Sequence, residues 1–377
     1  MNSLYSTSIN IIKAGQSESG AYIASPNFPT YHYCWLRDGS FTAHAMDVAG
    51  EHASAEAFFR WVGRTLKKYG NKVDDVQHHL QAGIPLGKDD LLHTRYTLDG
   101  HEVTADNGWG NFQIDGYGTW LWALAEHVRL SGNVTLLRDL DEAVQTTLRY
   151  LQLVWQLPNY DCWEEFPEYL NPYSLATVFT GFDSIASLVR SGLMAAPEFQ
   201  LDVLSEQVRA FLRKYAAYEG CLVKLIQPGQ KGKAPCPVVK SGVDASMIGV
   251  AVPYGVLSID DELMRVTIQA IEKDLHFPGG GVYRYRDDVY YGGGEWILLA
   301  AWLGWYYARS GNRQQAVALR EWIELQAGQN GDLPEQVNDH PLAADHYEPW
   351  LKKWGPVASP LLWSHGMYII LCNAIGN

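Results

Sequence analysis

The chain has 377 residues, 47% of them hydrophobic and only 19% charged, which excludes a disordered chain. Forty-two acidic against 29 basic residues leave a net charge of −13 with no basic run, which argues against nucleic acid or an anionic membrane face as partner. Five Cys (34, 162, 221, 236, 372) without a CxxC pair, and the lack of an export leader or a long apolar span, lead us to expect reduced thiols, no metal site and a cytoplasmic location.

Helical periodicity dominates from a first segment at 4–14 onward. Tyr31-His32-Tyr33-Cys34-Trp35-Leu36-Arg37-Asp38-Gly39 then precedes a helix at 39–49. Arg37 and Asp38 set a fork of donors beside an acceptor, which suits adjacent sugar hydroxyls; it equally suits a helix cap with a surface pair. A helix at 52–68 follows, and the alternation over 93–103 predicts a hairpin around Leu98-Asp99-Gly100. Trp109-Gly110-Asn111-Phe112-Gln113-Ile114-Asp115-Gly116 leads into a helix at 116–131, its glycines allowing close backbone approach to a ligand and its Asp115 also readable as a cap. After a helix at 138–155 comes Asp161-Cys162-Trp163-Glu164-Glu165-Phe166, before one at 173–193. Neighbouring carboxylates against Trp and Phe are what raises a carboxyl pKa, although an acidic helix entry reads the same way.

Beyond a helix at 199–217, Ser241-Gly242-Val243-Asp244-Ala245-Ser246 opens a helix expected over 244–256, with Asp244 in a capping role. A helix at 261–274, capped by Asp260, leads to the block from Tyr283 to Trp296. There Gly292-Gly293-Gly294 lies between aromatic-rich stretches and Arg284 can reach a cleft. It lacks the lysine and the preceding strand of a phosphate loop. Helices at 294–310 and 313–327 are joined tightly by Ser310-Gly311-Asn312. Leu333-Pro334-Glu335-Gln336-Val337 and Trp363-Ser364-His365 frame the entry to a last helix at 361–373. Glu335, isolated from other acids in sequence, is expected to stay ionised as a base while Glu164 or Glu165 is held protonated.

Six blocks thus fall before the even-numbered members of twelve helices. Antiparallel helix hairpins would gather those entry loops at one end, over one cleft. This arithmetic predicts an all-α, six-fold α/α barrel, and with no linker or composition shift residues 1–377 are expected to form a single domain. The 14 Trp and 22 Tyr suit a core or the faces of sugar rings equally well.

Taken in order, Y-x-Y-x-W-x-R-D (31–38), W-G-x-x-Q-x-D-G (109–116), W-E-E (163–165), D-A-S (244–246), R-Y-x-x-D-x-Y-x-G-G (284–293), E-Q (335–336) and W-S-H (363–365) carry a resemblance from about residue 5 to 373. The chain resembles the catalytic domain of glycoside hydrolase family 15, the glucoamylases, glucodextranases and related exo-acting α-glucosidases. The resemblance implies an inverting hydrolase releasing β-glucose from non-reducing ends on a six-fold α/α barrel, with no metal or organic cofactor. It makes Glu164 the general acid and Glu335 the general base. Glu165 would line the neighbouring sugar site, Tyr31 would help hold the attacking water, and Arg37 and Asp38 would grip the 4- and 6-hydroxyls. Trp35 joins this substrate-binding set, Trp109 would lie along the scissile region, Arg284 would bind the terminal glucose, and Ser364 matches a serine near the base.

There are departures: the chain starts at the first barrel helix, so neither an N-terminal β-sandwich nor a starch-binding module is expected. Arg286 replaces a usual Pro, and the segment between Glu335 and Trp363 is long. These features favour short α-gluco-oligosaccharides as partner, α-1,6-linked (isomaltose-type) before α-1,4. A trehalose hydrolase and a catalytically silent carbohydrate-sensing domain are the competing readings; keeping Glu164, Glu335, Tyr31, Arg37 and Asp38 together argues against silence.

Overall fold

Two kinds of helix alternate in the computed structural model, which describes residues 3–103, 110–230 and 232–376. One kind is apolar nearly all round: α2 (Leu36–Val48), α4 (Asp115–Ser131), α7 (Pro172–Arg190), α10 (Ile297–Arg309) and α13 (Leu362–Ile375). Such helices are stable only when enclosed by others. The other kind buries a single stripe: α1 (Ser3–Ala14), α3 (His52–Ala82), α6 (Asp141–Val154), α8 (Leu201–Tyr215), α9 (Glu262–Asp274) and α11 (Arg313–Leu325). Two short helices, α5 (Thr135–Asp139) and α12 (Tyr347–Trp354), complete the described set.

The apolar helices form a closed inner ring. α2 packs on α4 and α4 on α7; α7 and α10 flank the 3-10 segment Ala245–Val250; α10 packs on α13, and α13 returns to α2. Outside them, α3 lies on α2, α8 on α7, α9 on the 3-10 segment, α11 on α10 and α1 on α13. This is the expected six-fold α/α barrel. Its core is aromatic: Phe41 stacks on Trp363 at 5.5 Å and meets Trp302 edge-on at 5.2 Å, and Tyr173 closes on Trp302 from α7 at 5.7 Å. α4 and α7 touch backbone to backbone at Gly118, where a Cβ would come within 2.0 Å of the Thr177 carbonyl oxygen.

The eighth expected helix is not an α-helix. Residues Ala245–Val250 form a 3-10 turn, because Pro253 offers no N–H to continue the ladder and Gly255 sits at φ +62°. Asp244 is a cap as expected, accepting from Ser246 N at 2.8 Å. The α9 cap is Asp261 and not Asp260: its carboxylate accepts from Leu263 N at 3.0 Å. α3 runs on to Ala82, past the weak helix formers Gly70 and Asn71, because Val73 and Val76 extend its buried stripe. The span at 138–155 is broken at Leu140 into α5 and α6.

Short antiparallel ladders stitch the entry loops: β1 (Cys34–Trp35) with β2 (Arg95–Tyr96), β3 (Ala217–Tyr218) with β4 (Cys221–Leu222), β5 (Ile226–Gln227) with β6 (Cys236–Pro237), and β7 (Glu295–Trp296) with β8 (Gln336–Val337). The expected hairpin is present, with Tyr96 bridging to Glu102 across its turn. Among the described residues no helix is long and apolar enough to cross a membrane.

Candidate active site

The loops entering the inner helices meet over one pocket of about 330 Å³, at the small end of the range usual for ligand sites. Tyr31, Trp35, Arg37, Asp38, Glu164, Glu165, Arg284 and Glu335 all line it, so eight of the ten site residues expected from sequence converge. Trp109 lies outside the described residues. Ser364 is fully buried and off the pocket wall, and its role is mechanical.

That role concerns the chain just before Glu335. Ser364 Oγ donates to the Pro334 carbonyl at 2.8 Å, and Leu333 N donates to His365 Nε2 at 3.0 Å, so α13 clamps two consecutive residues. Burial lowers the His365 pKa to about 3, which keeps the imidazole a neutral acceptor. Glu335 itself donates its N–H to the Ala358 carbonyl at 2.9 Å and accepts from Ile297 N at 3.2 Å. On the side chain, the Tyr31 hydroxyl donates to Oε1 at 3.0 Å and also meets the Tyr290 hydroxyl at 2.9 Å. Oε2 is buried with no protein hydrogen bond among the described residues.

Glu164 is presented by a tight turn. Its backbone lies in the left-handed region at φ 65°, as does that of Phe166 at φ 54°, a strain of about 1–3 kcal/mol per residue. Asp161 holds the turn together: its carboxylate accepts from Trp163 N at 3.0 Å and Glu165 N at 2.9 Å, and its carbonyl accepts from Glu164 N at 2.9 Å. The Trp163 indole is in turn fixed by Asp244, at 2.9 Å. The Trp35 indole N–H donates to Glu164 Oε1, leaving Oε2 buried and unbonded within the described chain. Trp35 meets Tyr31 edge-on at 5.6 Å, so one contact chain joins the two carboxyls: Glu164, Trp35, Tyr31, Glu335.

Two arginine clamps complete the wall. Arg37 donates to Asp38 and to the buried Asp115, each at 3.1 Å, and lies over the Trp363 ring. Arg284 is held bidentately by Asp288 at 2.7 and 2.5 Å, within an aromatic cage of Trp163, Tyr290 and Trp296. Each guanidinium is thus oriented before any ligand arrives, which lowers the cost of holding one.

Burial pushes Glu164 up to about 7, against the opposing pull of Arg95 and Arg37. It pushes Glu335 further, to about 8, with the Tyr31 hydrogen bond pulling back. Burial therefore works against the expected ionisation of Glu335, and the Tyr31 hydrogen bond works for it. Separation from other acids removes only like-charge repulsion, whereas withdrawal from water acts on any buried carboxyl.

Sequence reasoning overlooked Lys224 and Arg95. Lys224 is 1% exposed; its ammonium lies 3.3 Å from Asp244, 3.5 Å from Asp161 and 3.7 Å from Glu165, and 3.1 Å from the Tyr285 ring centre. Burial raises Asp161 to about 7, and the Lys224 ammonium opposes this rise, favouring the charged form of the carboxylate that organises the turn. A lone lysine in Leu222-Val223-Lys224-Leu225-Ile226 was the available signal, since an apolar run carries a charge inward only toward partners. Replacing Lys224 by Met leaves buried carboxylates uncompensated and is expected to cost about 3–5 kcal/mol in denaturant unfolding. A loss below about 1 kcal/mol would mean the cluster is solvated. Arg95 reaches the site because β2 pairs it directly with Trp35.

One described set of side chains, Asp47, His52 and His127, has spacing compatible with a metal. It lies toward the other end of α2, and both imidazole Nδ1 atoms are 2.8 Å from Asp47 Oδ1, a separation that ordinary hydrogen bonding accounts for.

The comparisons with known proteins agree with this geometry. The family model "Glycosyl hydrolases family 15" matches residues 1–349. Isomaltose glucohydrolase of Kribbella flavida is 37% identical over 372 residues, spanning 97% of this chain and 91% of that protein. A solved wild-type glycosidase superposes with a TM-score of 0.90 at 37% identity, covering 99% of this chain and 96% of the other. A bacterial glucoamylase complexed with acarbose shares the fold at a TM-score of 0.71 and 20% identity, over 99% of this chain and 55% of its own. The pocket with its two raised carboxyls is thus built on a glucoamylase-like barrel, and the chain belongs to glycoside hydrolase family 15.

Proposed function

We propose that the protein is an exo-acting, inverting α-glucosidase that releases β-glucose from the non-reducing end of short gluco-oligosaccharides, with α-1,6-linked isomaltose-type substrates preferred. The observation that carries this reading is one small pocket in which two buried carboxyls, Glu164 and Glu335, stand between two pre-oriented arginine clamps. The 37% identity to an isomaltose glucohydrolase supports the linkage preference. We treat residues 1–377 as one catalytic unit, a view supported by the ring of inner helices from α2 to α13.

In this mechanism Arg37, Asp38 and Arg284 hold the terminal glucose. Glu164, protonated, gives its proton to the glycosidic oxygen as the bond to the anomeric carbon breaks. Glu335, ionised, takes a proton from water attacking the opposite face of the ring, and the configuration inverts. Tyr31 and Trp35 occupy the Oε1 atoms of Glu335 and Glu164, leaving each Oε2 for the proton it must move. The direct test is the product profile over isomaltose, maltose, panose, trehalose and dextran. Glucose from isomaltose ahead of maltose is expected; cleavage of trehalose alone would replace this reading by the trehalose hydrolase.

The pH dependence follows from the two carboxyls. Activity fails at low pH as Glu335 takes up its proton and at high pH as Glu164 loses its own. With values of about 8 and 7, a singly protonated pair is most populated near pH 7.5 by simple titration. A one-unit gap in that order leaves about one pair in ten with the proton on Glu164. A bell in kcat/KM centred close to neutrality is the expected result, its limbs belonging to the coupled pair; activity rising steadily toward pH 4 would contradict the assignment. No step calls for a Lewis acid, so full turnover is expected after exhaustive chelation, and loss restored by one particular divalent ion would refute that point.

A further inference from the structure

The turn that carries Glu164 is held from behind by one lysine. Lys224 sits on the short link between β4 and β5, and the backbone there ties three segments together. Its N–H donates to the Gly242 carbonyl at 2.8 Å, its carbonyl accepts from the Asn171 side chain at 3.3 Å, and Ile226, two residues on, exchanges hydrogen bonds with Leu170 at 2.8 and 3.0 Å. Asn171 is the cap of α7, and Gly242 stands two residues before Asp244. The lysine is thus fixed at its root behind the 161–166 turn.

At its tip the ammonium stands in a closed cage. Asp161 Oδ2 lies at 3.5 Å, Asp244 Oδ2 at 3.3 Å, the Tyr285 ring centre at 3.1 Å and the Phe166 ring centre at 4.6 Å. Among the described residues no other cation is within ion-pair reach of Asp161 or Asp244, and no hydrogen-bond donor reaches Asp161 Oδ2. The other oxygen, Oδ1, already takes the Trp163 and Glu165 N–H groups. The two ends of this carboxylate therefore have separate duties: Oδ1 bends the turn and Oδ2 faces the ammonium. Asp244 repeats the arrangement, with both oxygens on the Trp163 indole and Oδ2 toward Lys224. Lys224 itself is off the pocket wall, so it can act on the reaction only through these partners.

Left-handed backbone at Glu164 and Phe166 persists only where the surroundings over-determine it. Hydrogen bonds to an ionised carboxylate are roughly twice as strong as those to a neutral oxygen, and a buried carboxylate stays ionised only beside a partner. We propose that Lys224 is the positioning residue of the acid: acting through Asp161 and Asp244, it fixes the left-handed turn that points Glu164 at the glycosidic oxygen. The inference rests on the α-glucosidase reading and adds to it a group that tunes proton donation without touching the sugar. Misplacing a catalytic group by about 1 Å can cost about a hundredfold in rate. Here only proton donation would suffer, because Arg37, Asp38, Arg284 and Glu335 stand on other loops.

The test compares wild type, Lys224→Met, Asp161→Asn and the double variant on isomaltose and on α-glucosyl fluoride, whose fluoride leaves with little need of a proton. Lys224→Met is expected to lower kcat on isomaltose about thirtyfold, with KM changed less than about threefold, and kcat on the fluoride no more than about threefold. A merely structural loss reduces the active fraction and scales both substrates by one factor. Asp161→Asn keeps an acceptor oxygen without the charge and should show the same selectivity at about tenfold. Because the lysine acts through that carboxylate, the double variant should lose about thirtyfold on isomaltose, against a product of about three-hundredfold for independent effects. It removes one buried charge of each sign, so it carries the test even where Lys224→Met fails to fold: relative to Asp161→Asn, the further loss on isomaltose should be about threefold and not about thirtyfold. Equal losses on both substrates for Lys224→Met, a wild-type ratio of the two substrates for Asp161→Asn, or multiplicative losses in the double variant would overturn the positioning role. Wild-type protein that releases glucose from neither substrate would instead overturn the glucosidase reading, so the two failures are separate.

Discussion

Replacing Glu335 by Ala is expected to lower kcat/KM about a thousandfold, within the range usual for a lost general base, on isomaltose and α-glucosyl fluoride alike. The reason is positional. Glu335 is held at its backbone by Ala358 and Ile297, at the two residues before it by Ser364 and His365, and at Oε1 by Tyr31. Its free Oε2 is then the atom available to an attacking water. Water attack is needed whichever group leaves, so a good leaving group gives no relief. Steady-state rates of glucose release decide it: a variant that keeps near wild-type turnover on the fluoride would show that Glu335 is not the base.

Glu164→Ala is expected to behave differently. On isomaltose the sugar leaves as a poor alkoxide unless protonated, and a loss of about a hundredfold or more follows. Fluoride departs with little need of a proton, so the same variant should lose no more than about tenfold on α-glucosyl fluoride. Burial raises the Glu164 carboxyl to about 7, so that it can hold a proton near neutrality, and the Trp35 N–H occupies one of its carboxyl oxygens, leaving the other for the glycosidic oxygen. Measuring both variants on both substrates gives a four-way pattern; identical losses in all four would contradict separate acid and base roles.

Much of this site was legible because its groups come in contiguous blocks before alternate helices. Arg37 and Asp38 stand in the first turn of α2 and Glu164 in the loop before α7, while Arg284 and Glu335 lie in the longer loops that lead into α10 and α13, and helical period locates those entries. What the sequence concealed depends on distant partners. The left-handed backbone of Glu164 is not announced by a glycine: the nearby Asp161 carboxylate makes its turn, and the Lys224 ammonium that pairs with Asp161 arrives from another loop. α12 escaped because its pocket-facing indoles read as loop aromatics, with no buried stripe to mark a helix. The 244–256 stretch reads as apolar and helical, but Pro253 and Gly255 break the backbone ladder while the side chains still fill the inner ring. Glu335 shows the limit of arguing ionisation from sequence neighbours: its surroundings come from Tyr31, Tyr290 and Arg284, far away in the chain.

In the proposed mechanism water, activated by Glu335, displaces the leaving sugar in one inverting step. Proton NMR of the first glucose released from isomaltose, recorded before the anomers equilibrate, tests it most directly. β-Glucose is expected at early times, with the α anomer appearing only at the rate of spontaneous mutarotation; α-glucose as the initial product would rule out single-step inversion.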